Sequence, residues 1–216
     1  MARPKEFDEA AALDSAIECF RLRGYHATSV RDLATAMGIG GTSLYNSFGD
    51  KRALFVKALN RYLDSSLRAR LKRLEEAHTP RQVIPAFFAE VIDRSLNDRA
   101  RGGCLLINSV LEISPHDPKL GRQIAAYVGE IEEFFRRTIC AAQADGSVAA
   151  SLDAKDAARL LLGVLLGIRV LARSRPDQAV LEGMVRPALG LLGVATAAAA
   201  APRRRTSRIS SSPMTS

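Results

Sequence analysis

The chain has 216 residues, 47% of them apolar and 25% charged. Those are the proportions of a folded globular protein, and they exclude a disordered or fibrous chain. The net charge is +8, but Arg203, Arg204, Arg205 and Arg208 carry half of it near the C-terminus, so bulk charge alone does not argue for a nucleic-acid partner.

Cys19, Cys104 and Cys140 lie far apart with no C-x-x-C pair. That fits neither a disulfide framework nor a zinc site and points to a reducing, cytoplasmic compartment. Acids at positions 6 and 8 interrupt the N-terminus before any apolar signal-type stretch can form. The most apolar run, residues 160–168, is closed off by Arg159 and Arg169 and is far too short to cross a bilayer, so no membrane partner is expected.

The elements read as all-α, because Val, Ile and Thr nowhere alternate with polar residues for long. A first helix is predicted over residues 8–23, with Leu13, Ala16, Ile17 and Phe20 inward and Gly24 as its stop. In a second helix Val30, Leu33, Ala34 and Met37 recur at i, i+3, i+4 and i+7, which places them on one face. Gly38 follows, free to take the left-handed conformation that a tight turn requires. A short third helix is anchored by Leu44 and Phe48 and leaves Thr42, Ser43, Asn46 and Ser47 outward. Together these make a helix-turn-helix whose outer face carries hydrogen-bonding groups at base-reading positions.

Asp50 is the predicted cap of a long fourth helix with Leu54, Phe55, Ala58, Leu59, Tyr62 and Leu63 inward, continuing through Leu67, Leu71 and Leu74 as a rod between two parts. Thr79-Pro80 has the form of a cap followed by proline at the first helical position, whereas Pro85 implies either a kink or a later start. Gly102-Gly103 breaks the pattern, a short helix follows over residues 104–113, and residues 114–118 form a turn with two prolines. A helix over residues 119–145 ends at Asp145-Gly146, Asp153 caps another that runs to residue 173, and Pro176 begins the last, which ends near residue 192.

The last two helices are apolar around much of their circumference, through Leu160, Leu161, Val164, Leu165, Ile168 and Leu171, then Val180, Met184, Val185, Ala188 and Leu189. A helix apolar on more than one face is buried on more than one side. The extra side is expected to be a second copy of the chain, with Gly163 and Gly167 admitting a close helix. The alternative is a monomeric core with both helices at its centre. The alanine run, arginines and Ser/Thr-rich residues that follow have nothing to bury and read as a tail. The predicted division is a helix-turn-helix domain over residues 1–56, a larger helical domain over 57–192, and a disordered basic tail over 193–216.

Residues 8–56 resemble the TetR family of bacterial transcriptional regulators. The resemblance rests on Gly24-Tyr25, on residues 28–34 (TSVRDLA), on Met37-Gly38 and above all on residues 42–55 (TSLYNSFGDKRALF). Residues 101–118 look like one branch of that family. The resemblance implies three DNA-binding helices followed by a helical domain that dimerises and holds a ligand pocket. It places Thr42, Ser43 and Asn46 at base edges, and Thr28, Arg31, Tyr45 and Lys51 at phosphates of a double-stranded operator. Those chemistries agree with the residue types: Asn pairs with adenine, Thr and Ser serve either base, and Lys and Arg neutralise phosphate charge. Gly40 and Gly41 stand where relatives often carry a polar or basic side chain, which puts the operator sequence in question. The tail arginines could add sequence-independent DNA affinity.

Cys104 follows two glycines at a helix start with Arg99 and Arg101 nearby in sequence, a setting that favours the thiolate which electrophiles attack. The resemblance at this place is to regulators that detect reactive electrophiles. The competing reading is a small buried hydrophobe. An apolar pocket is expected among Phe87, Phe88, Val91, Leu105, Leu111, Ile131, Phe134 and Phe135, with Asn108 and Tyr127 as polar handles. Its ligand-binding residues would be Phe88, Cys104, Asn108, Tyr127 and Phe134.

His26, His78 and His116 are spaced neither as a metal pair nor near a nucleophile motif, and no glycine-rich phosphate loop follows a strand. No enzyme, catalytic residue, cofactor or metal is therefore expected. The sequence predicts a homodimeric DNA-binding regulator, a repressor released from a pseudo-palindromic operator by a small apolar inducer or by modification of Cys104. The alternative is a helical adaptor that uses its helix-turn-helix for protein contacts.

Overall fold

The computed structural model describes residues 7–193; the expected basic tail, Gly193 apart, lies outside them. Among the described residues the chain is helical, with no strand. α1 (Glu9–Arg23) starts where the Asp8 carboxylate accepts the N–H groups of Ala10 and Ala11. α2 (Val30–Met37) opens on a capping box in which Ser29 and Asp32 satisfy each other's backbone N–H, and it closes on Gly38 at φ 65°. α3 (Gly41–Phe48) follows. Phe20 and Phe55 meet edge to face at 5.0 Å beneath this head, beside buried Leu33, Leu44 and Phe48.

The expected rod after Asp50 is present but not uniform. α4 (Lys51–Tyr62) widens into a π-turn over Leu63–Arg68 before α5 (Ala69–Ala77) resumes the α-helix. The Ser65 and Ser66 hydroxyls donate to the carbonyls of Arg61 and Tyr62 at 2.8 and 2.7 Å. They compete for the carbonyls that the helical ladder would use, which gives a physical reason for the loosened turn.

α6 (Pro80–Leu96) takes the earlier of the two starts: Thr79 and Gln82 form a capping box, and Pro85 lies inside the helix. α7 (Leu105–Glu112) is short and α8 (Pro118–Ala144) is the longest helix. α9 (Ala154–Ser174) packs on α8, and α10 (Gln178–Leu191) packs on α9 and α6. The last helix begins after Asp177 rather than at Pro176, because the Asp177 carboxylate reaches the Val180 N–H at 3.0 Å and so supplies the cap.

Phe87 and Phe88 of α6 interlock with Phe134 and Phe135 of α8 at centroid separations of 5.2–5.8 Å, all fully buried. This aromatic block is the centre of the larger domain, and such pairs add about 1 kcal/mol each beyond the burial itself.

Candidate functional site

On α3, Leu44 and Phe48 are buried while Thr42, Ser43, Tyr45 and Asn46 are exposed. Tyr45 is 53% exposed, so it belongs to the outer surface and not to the packing between helices. Gly40 and Gly41 open the helix with no side-chain cap, and a Cβ at either would meet nothing within 4 Å. The first N–H groups of α3 are thus left to a partner, as an anion-binding helix start requires. Arg31 is also exposed.

Two residues expected at phosphates are placed differently. Thr28 is buried and its hydroxyl donates to the Gly24 carbonyl at 2.6 Å; it fixes the turn between α1 and α2, and its side chain does not face outward. The Lys51 ammonium sits 4.5 Å over the Tyr25 ring. Burial pushes its pKa down while Glu112 opposes that shift, so it belongs partly to the seam between the two domains. Lys57, which sequence reasoning missed, donates to the Ser47 carbonyl at 3.2 Å and lies over Phe48, holding the C-terminal end of α3.

That seam is built from charge. The Glu112 carboxylate at the end of α7 accepts the backbone N–H groups of Tyr25 and His26 at 2.9 and 2.6 Å. A Cβ at Gly24, whose φ is +85°, would stand 2.7 Å from the same carboxylate, which requires glycine there. Asn108 donates to the carbonyls of Gly102 and Arg21 and accepts from Arg173. Arg21 reaches Asp98, and Arg52 reaches Asp117 at 2.8 Å.

The Arg52 guanidinium, helped by the Leu120 N–H, holds the Asp117 carboxyl down to about 2. An unfolded aspartate titrates near 4. A depressed carboxyl stabilises the fold above its unfolded pKa and loses that contribution as pH falls through the folded one. Asp117→Asn should therefore lower the melting temperature at pH 7, with the difference from wild type shrinking between about pH 4 and pH 2. Melting curves across that range check it, and a pH-independent difference would assign the effect to packing.

Inside the larger domain a narrow cavity of about 20 Å³ is bounded by Tyr62, Ser66, Arg70, Phe87, Cys104, Leu106, Ile131, Leu165 and Arg169 among others. In a straight α-helix residues four apart drift around the axis. The π-turn takes up that drift and keeps Tyr62, Ser66 and Arg70 on one wall. The Tyr62 hydroxyl donates to Cys104 Sγ at 3.5 Å, and burial pushes the Tyr62 pKa up.

Of the expected ligand-binding residues, Cys104 lines this cavity and the others do not. Phe88 and Phe134 are consumed by the aromatic block. Asn108 is spent on the seam, and the Tyr127 hydroxyl is paired with Asn60 and Gln123. The cations that share the cavity with Cys104 are Arg70 and Arg169, not Arg99 and Arg101. Arg70 carried no distinguishing signal within a basic run.

Comparison with known proteins agrees with the fold. The model described as "Bacterial regulatory proteins, tetR family" matches residues 12–58, and the one described as "Tetracyclin repressor-like, C-terminal domain" matches residues 80–187. An uncharacterized HTH-type transcriptional regulator of Bacillus subtilis, YezE, is 33% identical over 193 residues, 89% of this chain and all of that protein. The chain belongs to the TetR family.

This TetR-family chain is a transcriptional regulator with a DNA-binding helix-turn-helix. It is also 29% identical over 172 residues to the Escherichia coli repressor ComR, across 79% of this chain and 82% of ComR. Its fold matches that of a CifR cysteine mutant complexed with a 26-base-pair double-strand operator DNA, with a TM-score of 0.79 and 34% identity, covering 87% of this chain and 98% of that one. No described helix is long and apolar enough to cross a membrane.

Proposed function

We propose that this regulator is a homodimeric repressor, with no enzymatic activity, that leaves its operator when an effector occupies the cavity beside Cys104 or modifies that thiol. The observation that carries the reading is α7. It begins at Cys104 on the cavity wall and ends at Glu112, which holds the backbone at the base of the reading head. A ligand that shifts α7 changes the orientation of α1–α3. A dimer whose two α3 helices no longer match successive major grooves about 34 Å apart binds its operator more weakly.

Dimerisation is supported by an apolar stripe left open on α9 and α10. Leu160 and Leu191 are 45% and 58% exposed, and Val170 is exposed between them. The two glycines of α9 divide their roles. A Cβ at Gly167 would meet Met184 of the same chain at 2.7 Å, whereas one at Gly163 would meet nothing. Gly163 thus leaves room for a helix of a partner.

The contact set proposed on DNA is Thr42, Ser43 and Asn46 toward bases, and Arg31, Tyr45 and Lys51 toward phosphates. Tyr45→Ala should weaken binding to every DNA sequence alike, by about three- to tenfold. Asn46→Ala should also flatten the preference at one base pair, worth about 1–3 kcal/mol. Titrating both variants against the operator and its single-base variants checks this, and unchanged affinity in either removes that residue from the set.

A further inference from the structure

From Arg61 onward the linking helix carries five basic side chains, and four of them find acids. Arg61 pairs with Asp14, Arg68 with Glu130 and Asp64, Lys72 with Glu76, and Arg73 with Glu90. Arg70 is the exception. It is only 8% exposed, and no protein group hydrogen-bonds its Nε or Nη1. Its guanidinium lies 5.3 Å from the centre of the Phe87 ring, which offsets part of the cost of burial.

The charged groups that bear on Arg70 from the surrounding elements are Arg169 of α9 and Arg94 of α6, both repulsive; Tyr62 and Cys104 are the groups that favour its charge. No carboxylate is among them. Burial and these two cations pull the Arg70 pKa down to about 10, so it stays protonated at neutral pH. Arg169 is itself partly spent, donating to the Ser95 hydroxyl at 3.1 Å. A buried charge without a partner is strongly destabilising. Here two buried donor nitrogens and a second guanidinium line the same cavity with a phenol and a thiol.

We infer that this cavity is a binding site for a small organic carboxylate, received by Arg70 and Arg169 and flanked by the Tyr62 hydroxyl and Cys104. A carboxylate supplies the acceptor oxygens that the free Arg70 donors lack and the negative charge that the facing guanidiniums lack. Its organic part lies against Phe87, Leu106, Ile131 and Leu165. The narrowness of the cavity limits it to a compact molecule. As an effector this ligand rests on the repressor reading; as a bound ligand it does not.

The test uses the full chain and a series of sodium carboxylates from acetate and propionate to benzoate, with the matching amides and sodium sulfate at equal ionic strength. Thermal unfolding reads occupancy, because a ligand that binds the folded state raises the melting temperature. At least one carboxylate is expected to give a saturable rise that its amide and sulfate do not, and Arg70→Met should weaken that binding about tenfold or more. If Met at position 70 prevents folding, Arg169→Met carries the same comparison. No saturable shift with any carboxylate, an equal shift with sulfate, or undiminished binding by the variant overturns the assignment. Operator release is measured separately with the carboxylate that binds. Binding without release upholds the site and removes its role in the repressor reading.

Discussion

Gly163→Arg is expected to turn the dimer into a monomer and to lower operator affinity by about a hundredfold or more. Within one subunit the new side chain meets nothing, and replacing a helical glycine favours the helix by about 0.5–1 kcal/mol, so the fold should be retained. The same side chain would drive a charge into the stripe that Leu160, Val170 and Leu191 leave open. An operator reader that has lost its partner holds one half-site instead of two, and specific binding exceeds non-specific binding by about 10³ to 10⁷. Sedimentation gives the oligomeric state and a DNA titration gives the affinity. Gly167→Ala is the control: its Cβ presses on the flexible tip of Met184 in the same chain, and it should stay dimeric. A dimeric Gly163→Arg variant would move the interface elsewhere.

Glu112→Ala is expected to destabilise the protein by about 2 kcal/mol, the scale of hydrogen bonds to a charged group whose donors are then left unmet. Two donors are involved, the N–H groups of Tyr25 and His26, and Lys51 loses a nearby opposite charge. Because those contacts join α7 to the head, operator affinity should fall as the orientation of α1–α3 loosens, although no DNA contact has been removed. Glu112→Gln keeps an acceptor oxygen and should recover part of the loss. Chemical denaturation and operator titration measure the two effects. Wild-type values in both would show that the seam is held by its other contacts, Arg52–Asp117, Arg21–Asp98 and Asn108 among them.

Local chemistry made the reading head legible. Leu33 with Met37 four apart, Gly38 in its left-handed turn, and Leu44 with Phe48 four apart each decide their own neighbourhood, and the structure places each as the spacing requires. The cavity was not legible, because partners far away in sequence determine it. Arg61, Arg68, Arg70 and Arg73 look alike on one helix, and they differ because Asp14, Glu130 and Glu90 reach three of them while Phe87 and Arg169 enclose the fourth. The aromatic residues of α6 and α8 could equally have lined a pocket or filled a core. The choice depends on how the two helices cross, and here they interlock. The π-turn had a local hint in the adjacent serines, but a hydroxyl bonding back to a carbonyl is also compatible with an ordinary helix.

An exposed α3, paired with its copy in the proposed dimer, is expected to read a defined DNA sequence. Selecting and sequencing fragments of the source genome bound by the purified full chain at near-physiological salt tests it most directly. The expected result is a recurring pseudo-palindrome whose half-sites lie about 10 base pairs apart or a multiple of that, with affinity that falls steeply as salt rises. Fragments with no shared sequence would contradict it, and would mean that Gly40 and Gly41 leave the helix-turn-helix without specificity.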